Sequence, residues 1–363
     1  MEQWDFQTFA YVKEGDGAVI LRCFSRDGKV AVPEQIDGLP VRELAPYAFS
    51  AHMDARMMAD GIRDGRVRLF PYESDERTEA CGDRLEELIL PATLRRVGRY
   101  CFYNCGHLRR LEFPGDLIDW GSGVFNGCRH VKEICLNAEP DERTGLKQVL
   151  DELPEELTVE FILKNRKNLG RDLHTGSNRL EVNASEAHRP GSDSLDEGCT
   201  ARLVFPEFYE EGVENTPARI LETHVHGTGI RYRNCFQNRR FDFALYDTLF
   251  PYALAQENEN LLTELVLARL RVPYRLEPAA RANYENYIKS HLFLFGKHFL
   301  EKKDTEGLQW YLERFAGPKD SGKLLDDLSS FAVQRNDPLS QSLIMDFQRK
   351  NEPAPKRRKR LEL

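Results

Sequence analysis

The sequence predicts an α+β protein in which a short solenoid sheet is followed by an all-helical module. Two adjacent segments repeat the same residue types at one fixed spacing, which is typical of solenoids. Within each repeat, apolar residues alternate as they do in strands with one buried face. Beyond about residue 241, apolar residues instead recur at helical spacing. These observations divide the chain into a repeat half and a helical half.

The repeat is clearest between residues 85 and 131. Three kinds of residue recur 23 positions apart: Pro91 and Pro114, Phe102 and Phe125, and Cys105 and Cys128. Each unit begins with an apolar row: Leu85, Leu88 and Leu90, then Leu108, Leu111 and Phe113, then Val131, Ile134 and Leu136. One coil of this kind cannot bury its own apolar face, so stacked coils are expected to share a core.

An earlier coil carries the same features with five extra residues. Val30 to Pro33 supplies its strand, and Phe49 corresponds to Phe102 of the next coil. The polar residues 51–84 are expected to form a surface insertion with one short helix. Residues 157–163 alternate again and are expected to add a last strand that closes the stack.

Two stretches of these coils resemble the BspA-like subtype of leucine-rich repeat. They are V-P-x-x-I-D-G-L-P-V-x-x-L-x-x-Y-A-F from Val32 to Phe49, and L-P followed by V-G-x-Y-C-F-x-N-C between Leu90 and Cys105. The resemblance covers roughly residues 28–137. It implies a parallel-strand solenoid that is used for protein contacts, within a domain spanning residues 1–163.

The second half begins with residues 164–200, which are polar and rich in Gly, Ser and Asn and are expected to be a flexible linker. Residues 201–350 are expected to be mostly helical, followed by a basic disordered tail over residues 351–363. The links Lys303 to Glu306 and Arg335 to Pro338 recur 32 positions apart. The helical region resembles an ankyrin-like arrangement of helix pairs.

Composition restricts the class of protein. The net charge is −8, which argues against a general nucleic-acid coat. No secretory signal and no long apolar segment is apparent, so a cytoplasmic protein that does not enter a membrane is expected. In that compartment the eight cysteines are expected to be reduced.

Several residues are candidates for a metal or catalytic site. His224 and His226 have a spacing that puts two imidazoles on one strand face, but no third ligand is evident, and surface or core histidines are the alternative. Cys101 and Cys105 have a spacing compatible with zinc, but the repeat phase of Cys105 indicates packing instead. No nucleotide-binding or hydrolase motif appears, so neither a metal nor a cofactor nor catalysis is expected.

The leading hypothesis is a scaffold or adaptor that binds an unidentified protein partner through its repeat sheet. Strand alternation predicts the partner-binding residues: Glu87, Ile89, Arg110, Glu112, Glu133 and Cys135. The alternative is a nucleic-acid-associated factor that uses the basic segment Arg231–Arg240 and the basic tail. Its residues would be Arg231, Arg233, Arg239, Arg240, Lys356, Arg357, Arg358, Lys359 and Arg360. An enzyme of unrecognised type is a third hypothesis.

Overall fold

The structure is a computed structural model that describes residues 7–52, 60–71, 79–163, 198–215, 220–317 and 321–351. It contains two compact units, and the described residues up to Leu276 form the first. The second unit begins at Glu277. The expected linker over residues 164–200 and the tail beyond residue 351 lie almost wholly outside the described residues.

The first unit contains the strands β1 (Thr8–Glu14), β2 (Gly17–Phe24), β3 (Lys29–Ala31), β4 (Gln35–Ile36), β5 (Leu39–Leu44), β6 (Arg68–Phe70), β7 (Glu87–Ile89), β8 (Arg96–Val97), β9 (Arg110–Pro114), β10 (Asp119–Trp120), β11 (Glu133–Asn137), β12 (Leu157–Ile162), β13 (Cys199–Phe205), β14 (Tyr209–Asn215), β15 (Ile220–His226), β16 (Phe236–Gln237) and β17 (Arg240–Phe241). Its helices are α1 (Leu146–Glu152), α2 (Gly229–Arg233), α3 (Phe243–Thr248), α4 (Phe250–Gln256) and α5 (Glu259–Arg271).

The main sheet has the order β13-β12-β11-β9-β7-β3. Its strands are parallel from β3 to β12, and β13 pairs antiparallel with β12. One residue at the same register position of each parallel strand points into the core and is fully buried: Val30, Leu88, Leu111, Ile134 and Val159. This buried row confirms the strand alternation and the solenoid expected from the sequence.

A second sheet closes the other side of the coils. The short strands β5, β8 and β10 pair in parallel, and β2 continues this sheet into the β1–β2 hairpin. Phe49, Phe102 and Phe125 stack between the coils, with ring centroids 5.7 and 5.4 Å apart. The phenylalanines that recur in the sequence therefore form one continuous column in the core, because each coil places its residue directly above the last.

The insertion after the first coil is shorter than expected. Residues 53–59 and 72–78 lie outside the described residues, but β6 pairs with β1, and the chain has rejoined the stack by Cys81. The amide of Gly82 donates to the carbonyl of Phe49 at 2.8 Å, which restores contact with the preceding part of the coil. Gly82 thus has the same phase as Cys105, 23 positions later, whose amide donates to the carbonyl of Phe102 at 3.0 Å, a correspondence that the expected boundary at residue 84 obscured.

The domain boundary also differs from the expectation. Residues 198–276 belong to the first unit, whereas the sequence predicted a separate helical domain from residue 201. The reason is β13, which pairs with β12 from Leu157↔Phe205 onward and so becomes the edge strand of the solenoid sheet. The following segment is anchored to that strand, and Arg269 and Asp247 join α5 to α3 through a buried ion pair of 2.8 Å.

The second unit contains α6 (Pro278–Ser290), α7 (Leu292–Lys302), α8 (Thr305–Phe315), α9 (Ser321–Gln334) and α10 (Pro338–Asn351). The two tight links between helices are equivalent: Lys303 and Asn336 both have left-handed backbone (φ 57° and 52°). Asp304 and Asp337 follow them and cap the next helix through bonds of 2.8 and 3.1 Å. The structural period is therefore 33 residues, from Asp304 to Asp337, and not the 32 read from the sequence.

Candidate protein-binding face

The outer face of the main sheet carries two rows of side chains that run across the strands. The first row is Lys29, Glu87, Arg110, Glu133 and Thr158, which occupy one register position. The second row is Ala31, Ile89, Glu112, Cys135, Glu160 and Arg202. All six residues predicted from strand alternation lie in these rows, so the structure brings them together on one surface, which we call the sheet face.

Charges alternate along the first row. Lys29 lies 3.0 Å from Glu87, and the next two residues are Arg110 and Glu133. Glu133 is exposed, whereas Glu87 and Arg110 are half-buried. The row therefore offers a partner an exposed carboxylate beside a partly covered guanidinium.

The second row is less accessible than the sequence suggested. Glu112 is 5% exposed and Cys135 is 1% exposed, although both were predicted to be surface residues. Part of the reason is Arg110, whose Nη2 donates to the Cys135 sulfur at 3.1 Å and so lies across the second row. The thiol of Cys135 is therefore covered by this guanidinium.

The electrostatics of this cluster keep the thiol protonated. Burial raises the pKa of Cys135 to about 12, and Arg110 opposes this rise only in part. Burial alone would lower the pKa of Arg110, but the neighbouring Cys135, Glu133 and Glu112 raise it. A protonated thiol is a poor nucleophile, so the cluster is suited to holding Arg110 in place and not to covalent chemistry.

Four further charged or polar residues of the sheet face were missed by the sequence interpretation. The sequence predicted the strands that carry Lys29, Thr158 and Glu160. It did not assign these three residues to the outer face of the sheet. Arg202 forms an ion pair with Glu160. The position of Arg202 could not be predicted, since β13 reaches the sheet only after residues 164–197.

Three side chains close the ends of the stack. Gln7 bonds to the backbone of β3, accepting from Ala31 at 3.0 Å and donating to the Lys29 carbonyl at 2.9 Å. At the opposite edge, the Tyr246 hydroxyl donates to the carbonyl of Val204 at 2.6 Å and accepts from its amide at 3.1 Å. Edge strands with unpaired backbone groups invite pairing with other chains, and these bonds satisfy such groups.

The third closing group is Glu152 at the end of α1. Within the stack, the amides of Tyr100 and Phe102 donate to carbonyls of the next coil. The corresponding amides of the last coil, Gly123 and Phe125, instead donate to the two carboxylate oxygens of Glu152 at 3.0 and 2.9 Å. The Glu152 carboxylate thus accepts the hydrogen bonds that the carbonyls of a further coil would accept, and the stack of coils ends here.

The basic segment proposed for nucleic acid is divided by the fold. Arg233 is 1% exposed, and its guanidinium donates to the carbonyls of Leu153, Glu155, Pro206 and Gly229. Burial lowers its pKa to about 10, which leaves it charged at neutral pH. Arg233 was therefore wrongly assigned to the surface, because it joins the end of the stack to α2.

The other basic residues of that alternative keep an exposed position or lie outside the described residues. Arg231, Arg239 and Arg240 are exposed, and the guanidinium of Arg231 lies 4.8 Å from the ring centre of Tyr252. The tail residues Lys356, Arg357, Arg358, Lys359 and Arg360 lie beyond the described residues. The segment therefore presents three arginines, not four.

The candidate metal ligands lie on the β14–β15 hairpin. His224 and His226 are two positions apart on β15, a spacing that places both on one face of the strand, as expected. Nε2 of His226 lies 3.0 Å from a carboxylate oxygen of Glu211. Among the described residues, no group of three histidine, cysteine or acidic side chains is arranged to hold a metal ion. The eight cysteines are reduced thiols, and seven are buried, including Cys101, Cys105 and Cys128 within the coils.

No helix in the described part of the chain is both long and apolar enough to cross a membrane. A search of curated protein sequences found no match to the chain. Among solved structures, the crystal structure of the T. pallidum leucine rich repeat protein matches with 24% sequence identity. That match covers 35% of this chain and 68% of the other, with a TM-score of 0.19.

The family comparison coincides with the coils. Residues 79–143 match the BspA type leucine rich repeat region (6 copies). This segment begins just before Cys81 and ends after β11, so it contains the central strands of the sheet face. The repeat region of this chain is thus similar to BspA-type leucine-rich repeats, as the sequence resemblance predicted, and it folds as a solenoid.

Proposed function

We propose that this protein is a cytoplasmic scaffold or adaptor that binds a protein partner through the sheet face and catalyses no reaction. The observation that supports this most directly is the pair of in-register rows of charged and polar side chains on the outer face of the sheet. Solenoids, including leucine-rich repeats, present such faces as extended binding surfaces. The protonated state of Cys135 also favours binding over chemistry.

Glu133 is the best single residue for a test. It is exposed and lies beside Arg110 in the first row. Arg110 is a poorer choice, because its replacement would also uncover the buried Cys135. Glu142 is an exposed carboxylate in the loop after β11 and supplies the matched control.

The experiment replaces Glu133 or Glu142 by a photo-crosslinking amino acid in the full chain. Cross-linking in extract of the source cells, followed by mass spectrometry, should join a protein to position 133 but not to position 142. The substitution Glu133→Lys should abolish capture of that protein, whereas Glu142→Lys should not. Equal capture by both variants, or cross-links only at position 142, would remove the sheet face as the binding surface.

The alternative function, nucleic-acid association, is tested in the same experiment. Treating the extract with nuclease should leave a protein-mediated complex unchanged. Loss of every partner on nuclease treatment, together with salt-sensitive binding that disappears when residues 355–363 are deleted, would favour the basic segment and tail instead.

We infer that the second unit is an ankyrin-like pair of repeats that supplies another contact surface. The support is its 33-residue period and the equivalent capped links before α8 and α10. Deleting residues 305–337 removes one whole period and joins α7 to α10 through an equivalent link. The helix content measured by circular dichroism should therefore fall only in proportion to the number of residues removed. An out-of-phase deletion of residues 305–325 should unfold the unit. Similar losses in both deletions would argue against the repeat.

A further inference from the structure

The two coil corners that lead into β9 and β11 carry a surplus of positive charge. Residues 106–109 precede β9 and residues 129–132 precede β11, and neither segment contains a carboxylate. Arg109 and Arg129 form no ion pair with a carboxylate of the described residues. The exposed side chains of these corners form a surface that we call the basic edge: His107, Arg109, Arg129, His130 and Lys132.

Hydrogen bonds between successive coils bring the residues of the basic edge together. The amide of Lys132 donates to the carbonyl of Arg109 at 2.8 Å, so these two residues are neighbours across the coils. Nδ1 of His130 donates to the carbonyl of Gly106 at 2.5 Å, which places Arg129 and His130 beside the corner before β9. The imidazole ring centres of His107 and His130 lie 6.5 Å apart. The three cations therefore lie within two adjacent coils.

Acidic residues limit the basic edge on both sides. In the preceding coil, the exposed Glu86 occupies the position of Arg109, whose amide donates to the Glu86 carbonyl at 2.8 Å. In the following segment, the ammonium of Lys132 donates to the carbonyl of Glu156 at 3.2 Å. The positive surface is therefore two coils wide, which is about 10 Å at the usual spacing of neighbouring strands.

A surface of this width suits a short anionic group better than a long one. A nucleic-acid strand carries negative charge along its whole length, so phosphates beyond the basic edge would meet Glu86 or Glu156. A polypeptide can instead place two or three carboxylates on the edge and neutral residues beyond it. Guanidinium groups bind carboxylates through paired, charge-assisted hydrogen bonds, which suits Arg109 and Arg129 to this ligand.

We propose that the basic edge binds a short cluster of Asp or Glu side chains on the partner protein. This inference rests on the proposed function, because Arg109 and Lys132 directly precede Arg110 and Glu133 of the sheet face, and one partner covers both surfaces. The edge adds specificity for that partner, since a protein without an acidic cluster at this place leaves the cations unpaired.

The test measures binding of a fluorescent peptide by anisotropy, with the full chain at low ionic strength, where exposed charges are little screened. The probe has three adjacent glutamates between glycine-serine flanks, and a second probe has glutamines in their place. Only the glutamate probe should bind. Arg109→Glu combined with Arg129→Glu should raise its dissociation constant about tenfold or more, because each reversal replaces an attraction by a repulsion.

The matched control is Arg99→Glu combined with Arg143→Glu, which changes the net charge equally at two exposed positions outside the basic edge. Circular dichroism establishes that both double variants are folded. An equal loss of binding in the two double variants, or equal binding of the glutamine probe, would overturn the proposal. So would an oligothymidylate that displaces the glutamate probe at a lower concentration than the unlabelled peptide does, because nucleic acid would then be the better ligand.

A gain of binding tests the limit of the basic edge. Glu86→Lys extends the positive surface into the preceding coil, so a probe with six adjacent glutamates should bind this variant about fivefold more tightly than the unsubstituted chain. Unchanged binding would show that Glu86 does not bound the site. If neither probe binds but Glu133→Lys still abolishes capture of the cross-linked protein, the acidic ligand is wrong and the sheet-face function stands.

Discussion

Replacing Glu152 by alanine should loosen the end of the coil stack. The substitution leaves the amides of Gly123 and Phe125 without the carboxylate oxygens that accept from them at 3.0 and 2.9 Å. A hydrogen bond to a charged group contributes about 1.5 to 3 kcal/mol net. Because Glu152 is only half-buried, the lower end of that range applies to each bond. The expected loss in the free energy of unfolding is therefore about 2 to 4 kcal/mol.

Urea unfolding followed by tryptophan fluorescence is a suitable assay, since the ring of Trp120 lies 5.7 Å from that of Phe125 in the same coil. Glu152→Gln should lose about half as much stability, because its amide keeps one acceptor oxygen. Hydrogen exchange at Gly123 and Phe125 should become faster in both variants.

The matched control is Asp151→Ala on the same helix. Asp151 is exposed and pairs with Lys147 one turn away, so its loss should cost at most about 0.5 kcal/mol. If Glu152→Ala unfolds at the same urea concentration as Asp151→Ala, the carboxylate contributes no net stability, and the account of how the stack ends is refuted.

Three further perturbations address other parts of the first unit. Tyr246→Phe removes both hydrogen bonds to the Val204 peptide at nearly constant volume and should lower the free energy of unfolding by about 1 to 3 kcal/mol. Hydrogen exchange at the Val204 amide should become faster. Unchanged exchange there would contradict the role of Tyr246 in closing this edge of the sheet. Arg269→Met removes the ion-pair partner of the buried Asp247 and should lower the free energy of unfolding by about 3 to 5 kcal/mol, measured by thermal or urea unfolding. A loss no larger than that of an exposed ion pair would be inconsistent with the burial of this pair. Raising the pH should destabilise the fold, because burial raises the pKa of Cys135 and Cys235 from 9.0 to about 12. The stability that their protonated thiols contribute is complete below pH 9 and is lost as the pH rises towards 12, by about 1.4 kcal/mol per pH unit for each thiol. Cys235→Ser should reduce that slope, and a flat profile above pH 9 would refute the assignment.

The coil was predictable from the sequence alone. The 23-residue spacing aligns Phe102 with Phe125, and strand alternation separates Leu111 from Arg110 and Glu112. These features were predictable because a solenoid is built from contacts between adjacent repeats, and the residues that make those contacts recur at a constant interval. The direction in which Glu133 and Arg110 point follows from the same local rule.

Which of those outward residues are accessible depends on how the strands and their side chains pack together. Cys135 is buried because Arg110 lies over it, and the arrangement of two long side chains is not encoded in a strand pattern. The same applies to Arg233, whose basic neighbours in sequence suggested a surface but whose guanidinium satisfies four backbone carbonyls. A buried charge requires such partners, and here they come from segments distant in sequence, at Leu153 and Pro206.

The ends of the solenoid were likewise settled by the fold. Nothing periodic marks Gln7, Glu152 or Tyr246, since each occurs once and lies outside the repeats that it closes. The sequence specifies a repeating coil because that pattern is local. Where the coils stop, and which later strand joins them, depends on single long-range hydrogen bonds that satisfy the last unpaired backbone groups, and these exist only once the chain is folded.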